Sequence, residues 1–318
     1  MQIRRVIGCS FVTIVGGAAL LAGYVWWRAP YRHLPLENAS AAAAARLDSE
    51  GRLLLRPTFA DVPYATESRF ERLDLYLPPH ADKPAPLVMW VHGGGLTVGD
   101  KRSMPRADFG PAPKPRGLNG PYQVQVPDVS RLLARGYAVA SINYRLGPIL
   151  ILDVKPAVCD VKAAVRFLRA NSARYGLDER RFAIWGNSMG GYLAAMVGVT
   201  GDQPTDFDVP ALGNASASSA VQAVVVWYGA EDRMPPSLRI QRYVPRATSL
   251  PAFRIVNGSA DPVITPDRAV RLNELLVKAG ARSTLTLLPG AGHEDPAFMG
   301  TQMAPTLAFL ESAFRQPR

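Results

Sequence analysis

Three residues far apart in the chain have the types and neighbours that acyl-transfer chemistry requires: Ser188, Asp261 and His293. Ser188 lies in Gly186-Asn187-Ser188-Met189-Gly190-Gly191, between an apolar strand-like run, Phe182 to Trp185, and a helix-like run, Tyr192 to Val199. Strand, tight turn and helix in that order make a nucleophile elbow, which lifts a serine hydroxyl out of the backbone and leaves no room for side chains beside it. The pentapeptide alone is weak, because Gly and Ser are common enough for it to arise in about one chain in ten of this size. Its context must therefore carry the argument.

A serine hydroxyl is too weak an acid to attack a carbonyl unaided, so it needs a base within hydrogen-bond reach. The chain has four histidines. His33 lies near the N-terminal apolar run, His80 follows Pro78-Pro79, His92 leads into Gly93-Gly94-Gly95, and His293 follows a strand-like run, Thr284 to Leu288. His293 is the candidate base. His92 is its rival, although a ring at the mouth of a glycine turn more simply braces that turn's backbone. An acid must fix the imidazole tautomer, and Asp261, in a loop after the run Phe253 to Val256, is the candidate. Capping a turn before Pro262 is the other reading of Asp261, and Asp232 is the reserve. Glu294 and Asp295 adjoin His293 and read as surface residues. Backbone N–H groups of Gly93 or Gly94, and of Met189, are candidates for an oxyanion hole, where each donor is worth about 3 kcal/mol. Histidines scattered over unrelated segments make no metal-ligand set. The glycine turn lacks the spacing of a phosphate loop, so no cofactor is expected.

These residues must be brought to one end of a common scaffold. Apolar runs at Leu87 to Val91, Tyr137 to Ile142, Phe182 to Trp185, Val221 to Trp227, Phe253 to Val256 and Thr284 to Leu288 read as strands. Helical patterns fall between them at Val129 to Ala134, Pro156 to Ser172, Gly191 to Val199, Pro266 to Ala279 and Ala304 to Phe314. Val158, Val161, Val165 and Leu168 recur at helical spacing behind Pro156, which suits a first turn. That rhythm predicts an α/β fold with a mostly parallel central sheet and helices on both faces. Alternation from Phe70 to Leu77 predicts an early antiparallel strand. The stretch Arg102 to Pro127 is a long basic Pro/Gly-rich loop, placed to overhang the site.

Taken together, VHGGGLTVGDKRS, ASINYRL, DVKAAVRFLRANSARYGLDERRFAIWGNSMGGYLAA, NGSADPVITP and LLPGAGHED resemble the α/β-hydrolase esterase/lipase superfamily, close to its hormone-sensitive-lipase-like and bacterial feruloyl or acetylxylan esterase branch. The resemblance runs from about Tyr76 to the C-terminus. It implies a serine carboxylic-ester hydrolase acting through an acyl-enzyme on short-chain or aromatic acyl esters, small molecules or carbohydrate-linked esters among them. Where many relatives carry Trp, Ala and His, this chain has Leu96, Met189 and Tyr192, and near Val226 it lacks the acidic residue that relatives often have. Between Gly229 and Ser249, where relatives often carry a larger cap, the stretch is short and reads as poorly apolar, which implies a small cap and an open cleft. A peptidase or amidase of the same fold is the alternative within the fold. A non-catalytic membrane-tethered binding module is the alternative outside enzymes.

The N-terminus adds a second expectation. Arg4 and Arg5 precede an uncharged run, Val6 to Trp27, long enough to cross a bilayer and closed by Tyr24, Trp26 and Trp27 at headgroup level. Residues 1–29 therefore read as a membrane anchor, with a cleaved signal peptide as the other reading and a lipidated Cys9 as a third. Residues 30–55 read as a linker and 56–318 as the catalytic domain. With the N-terminus inside, that domain faces the periplasm or the cell exterior. Cys9 and Cys159 make no disulfide framework. The net charge of +10 reads as a solvated basic surface, with attraction to anionic surfaces as the other reading. Scattered basic residues without a basic stripe or zinc-finger cysteines argue against nucleic acid.

Overall fold

Among the described residues, eight strands hydrogen-bond into one sheet whose order in space departs from their order in the chain. The computed structural model describes residues 46–47, 53–54, 57–79, 83–97, 99–101, 127–146, 153–230 and 232–315. Residues 1–29, read from the sequence as a membrane anchor, lie outside them, as do His33, His80 and residues 102–126 of the basic loop. Within the described residues no helix is long and apolar enough to cross a membrane.

The strands are β1 (Phe59–Pro63), β2 (Arg72–Tyr76), β3 (Ala85–Val91), β4 (Ala138–Ile142), β5 (Leu177–Asn187), β6 (Ala223–Trp227), β7 (Ala252–Gly258) and β8 (Ser283–Leu288). They stand in the order β1-β2-β4-β3-β5-β6-β7-β8. The two pairings made by β2 are antiparallel and the rest are parallel. The expected parallel sheet and antiparallel early strand are present, and β1 extends that edge beyond the expectation. A two-residue ladder, Arg46–Leu47 with Leu53–Leu54, stands apart.

The helices are α1 (Val129–Leu133), α2 (Lys155–Ala170), α3 (Met189–Thr200), α4 (Pro266–Lys278) and α5 (Ala297–Arg315), with short turns of helix between. Parallel strands need crossovers, and these helices cover both faces of the sheet. On one face α2 and α3 bury Val158, Val161, Val165 and Leu168 against the strands, at the spacing the sequence predicted. α3 is apolar all round, so it sits in the middle of the layer with every residue from Gly190 to Thr200 buried. On the other face α5 packs over Trp90, Trp185 and Trp227. Those indoles meet edge to face, Trp185 and Trp227 with centroids 4.8 Å apart.

Two differences from the sequence expectation have local causes. α5 begins at Ala297 rather than Ala304, because Asp295 caps it: its Oδ1 accepts the Ala297 N–H at 2.8 Å and its carbonyl accepts the Phe298 N–H. The helix then runs through Pro305. The stretch Gly229 to Ser249 is better packed than its composition suggested. Leu238, Ile240 and Val244 are buried, and the Tyr192 hydroxyl donates to the Leu238 carbonyl.

Charged groups are also buried where the glycine turn after β3 meets the sheet. Lys101 Nζ stands 2.7 Å from Asp74 and 2.7 Å from Asp61, tying the end of that turn to the β1–β2 edge. Nearby, Arg145 grips Asp160 with Nε 2.9 Å from Oδ2, and Glu71 lies 3.8 Å from the same guanidinium. Burial, together with the Asp160 charge, pushes Glu71 up to about 8. Glu71 Oε1 accepts no hydrogen bond, and as a carboxylic acid it donates to Asp160. The folded chain thus holds a proton at Glu71 that the unfolded chain has lost above its ordinary 4.5, so this group's stabilising contribution falls as pH rises through that window to about 8. Glu71→Gln keeps the donor without the titration. It is expected to raise stability at pH 9 by about 1–2 kcal/mol, roughly 3–5 °C in Tm, and to change little at pH 5. Thermal melts of both proteins at the two pH values check this; a variant less stable than wild type at pH 9 would overturn it.

Candidate active site

Catalytic loops in open parallel sheets gather at the carboxyl ends of the strands, and the candidate residues of this chain do so. β5 ends at Asn187, and Ser188 follows with φ +49° and ψ −124° as the residue before α3. A non-glycine residue holds that backbone only where its surroundings enforce it. The enforcement is steric: a Cβ on Gly186 would stand 2.2 Å from the Gly190 carbonyl oxygen, and one on Gly190 would stand 2.1 Å from that of Val91. The elbow is further tied by the Ser188 N–H, which donates to the Trp227 carbonyl at 2.9 Å.

His293 comes from the loop after β8 and Asp261 from the loop after β7. The two loops are stitched together: Ser259 N–H donates to the Leu288 carbonyl at 2.9 Å, and Ala260 N–H to that of Ala291 at 3.0 Å. The result is a continuous chain of side chains. Ser188 Oγ lies 3.0 Å from His293 Nε2, and His293 Nδ1 lies 2.8 Å from Asp261 Oδ2. Asp261 is fully buried, and its other oxygen accepts the N–H groups of Val263 and Ile264 at 2.8 and 2.9 Å. Both readings of Asp261 therefore describe the same carboxylate: one oxygen caps the turn and the other meets the imidazole. With two backbone N–H groups on Oδ1, Oδ2 is left to accept from His293 Nδ1. Nδ1 must then carry a proton, which leaves Nε2 as an acceptor facing the serine hydroxyl.

The reserve candidates lie elsewhere. Asp232 pairs with Arg271 at 2.6 Å and Arg268 at 3.5 Å. His92 is fully buried; its Nδ1 lies 2.7 Å from the Gly93 carbonyl oxygen and its ring stacks on Tyr144, centroids 4.5 Å apart. Desolvation lowers its basicity, and its hydrogen bond to Gly93 opposes this. It serves as a brace for the glycine turn. That turn reaches Ser188 directly, since a Cβ on Gly93 would stand 3.1 Å from the Ser188 Cβ. Gly94 follows with φ +102°. Met189 opens α3, where backbone N–H groups have no acceptor within the helix.

Three neighbours escaped the sequence reading. Glu294, expected at the surface, is half-buried with φ +61°; burial raises its carboxyl, the His293 charge lowers it and the Asp261 charge raises it. Tyr228 is buried against the His293 ring, and Asn187 donates to its hydroxyl. A tyrosine after a strand reads as core, and only the adjoining Gly229 marks a close backbone approach. Asn187 lay inside the elbow motif with no signal of its own.

Comparison with known proteins finds similarity to esterases. A family model described as BD-FAE matches residues 119–241, a span that holds Ser188 but neither His293 nor Asp261. Esterase LipC of Mycobacterium tuberculosis is 29% identical over 309 residues, 89% of this chain and 68% of LipC. Esterase LipQ of the same organism is 28% identical over 263 residues, 74% of this chain and 56% of LipQ. The chain thus spans between half and about two thirds of the length of these curated relatives. Among solved structures, a truncated carbohydrate esterase from gut microbiota superposes with a TM-score of 0.66 and 25% identity, covering 81% of this chain and 96% of that one. With the strand order, the elbow and these likenesses pointing one way, the chain has the α/β-hydrolase fold and is similar to esterases.

Proposed function

We propose that the chain is a serine carboxylic-ester hydrolase working through an acyl-enzyme, with Ser188 as nucleophile, His293 as general base and acid, and Asp261 as the group that fixes the imidazole. The observation that carries this reading is the unbroken relay from Ser188 Oγ through His293 to Asp261, at 3.0 and 2.8 Å. In it, Oγ attacks the ester carbonyl while Nε2 takes its proton. Asp261 stabilises the imidazolium without itself accepting a proton. The tetrahedral oxyanion is held by backbone N–H groups of Gly93 or Gly94, and of Met189. Collapse breaks the C–O bond, and the imidazolium returns its proton to the departing alkoxide. Water, deprotonated by His293, then attacks the acyl carbon, and the acid leaves as Ser188 regains its hydroxyl.

The substrate class is short-chain or aromatic acyl esters, with esters on a carbohydrate as its finer form. Supporting the carbohydrate part are the motif resemblance and the carbohydrate-esterase neighbour. Purified chain should turn over p-nitrophenyl acetate faster than p-nitrophenyl octanoate, and either faster than matched anilides. Release of acetate from an acetylated xylo-oligosaccharide tests the finer claim. Anilides cleaved faster than esters would favour the amidase reading instead, and no turnover or fluorophosphonate labelling at all would favour a binding module.

A further inference from the structure

Tyr228 touches the elements that carry all three members of the triad and belongs to none of them. It follows β6, is fully buried, and has φ +37°, a value that a bulky aromatic residue adopts only under constraint. Its ring meets the His293 ring edge to face, centroids 4.9 Å apart and planes at 68°. It also meets Phe298 of α5 at 4.5 Å. Its hydroxyl accepts a hydrogen bond from Asn187 Nδ2 at 3.1 Å, and Asn187 is the residue before Ser188. Its backbone N–H donates at 2.8 Å to the Val256 carbonyl in β7, the strand that leads to Asp261. One residue thus reaches the serine loop through its hydroxyl, the aspartate strand through its backbone and the histidine through its ring.

We infer that Tyr228 is a positioning residue, holding the His293 imidazole in line with the Ser188 hydroxyl. This rests on the serine-hydrolase reading of the site. The imidazole is tied at its two nitrogens, which fixes it along the line they define but leaves it able to rock about that line. Once Oγ has bonded to the acyl carbon, the Ser188 tie is gone and only Asp261 remains. A packed ring held in place by Asn187 and Phe298 removes the rocking motion at that stage. Misplacement by about 1 Å can cost on the order of 100-fold in rate.

The test is kcat, KM, Tm and the rate of fluorophosphonate labelling at Ser188 for Tyr228→Phe and Tyr228→Leu. Phenylalanine keeps the ring and loses the tie to Asn187, so kcat should fall about 3- to 10-fold; leucine loses the ring, and the fall should be about 30- to 100-fold. In both, KM stays within about twofold and labelling slows in proportion to kcat, which a merely structural residue would not produce in a folded variant. A folded leucine variant within about threefold of wild type in both rates would overturn the inference. If the leucine variant does not fold, a phenylalanine variant indistinguishable from wild type overturns it. Wild-type protein that is neither labelled nor active would instead defeat the serine-hydrolase reading, so the two failures are distinct.

Discussion

Ser188→Ala will lower ester turnover by about 10⁵- to 10⁶-fold and abolish fluorophosphonate labelling, with the fold intact. The magnitude follows from what the residue does in the proposed cycle: without Oγ there is no acyl-enzyme, and what remains is hydrolysis assisted by the oxyanion donors and binding alone. Little stability is at stake. The side chain makes one hydrogen bond, to His293, and the strained backbone of the elbow is enforced by the approaches of Gly186 and Gly190 to neighbouring chain, which alanine leaves unchanged. A Tm within a few degrees of wild type is therefore expected. Because nucleophile and base act as one unit, adding His293→Ala to Ser188→Ala should lower the residual rate by less than about tenfold. The p-nitrophenyl acetate assay decides it: residual activity above about 1% of wild type would mean that another group attacks the ester.

The elbow at Ser188 is legible in the sequence because its signal is local. A serine forced to a positive φ between crowded strand and helix leaves glycines as its mark, and the apolar runs on either side fix the strand and the helix that hold it. His293 and Asp261 were legible for a related reason: each follows a strand-like run, and parallel strands deliver their following loops to the same end of the sheet. What the sequence concealed depends on partners remote in the chain. Nothing near Glu71 announces that Asp160 and Arg145 will enclose it, and nothing near Lys101 announces Asp61 and Asp74. Asp295 read as a surface carboxylate because its role as a helix cap requires knowing that α5 starts at Ala297. The apolar residues between Gly229 and Ser249 are too sparse to form a periodic pattern, yet Leu238 and Ile240 each find a place in the core. Tyr228 lacks even a distinctive residue type, since its contacts with His293, Asn187 and Val256 all join it to segments remote in the chain.

The second large effect is expected at Asp261. Asp261→Asn should lower kcat by about 10⁴-fold with little change in KM, and the geometry says why. Oδ1 accepts two backbone N–H groups, from Val263 and Ile264, so an asparagine will place its carbonyl oxygen there and turn its amide nitrogen toward His293. An N–H donor facing Nδ1 selects the opposite imidazole tautomer. Nε2 then carries the proton and points it at Ser188 Oγ, so the base has lost its lone pair where it is needed, and the imidazolium formed in the cycle has lost its counter-charge. Since the turn keeps both backbone hydrogen bonds, the melting temperature should move far less than the rate. Asp261→Ala should differ in that respect, losing the turn as well as the tautomer and therefore stability as well as kcat. Asp232→Asn supplies the contrast, for that carboxylate is engaged by Arg271 and Arg268 and should be nearly silent in kcat. If Asp232→Asn abolished turnover while Asp261→Asn spared it, the acid of the relay would have to be reassigned, and the 2.8 Å contact between Asp261 and His293 would be no more than a turn's packing.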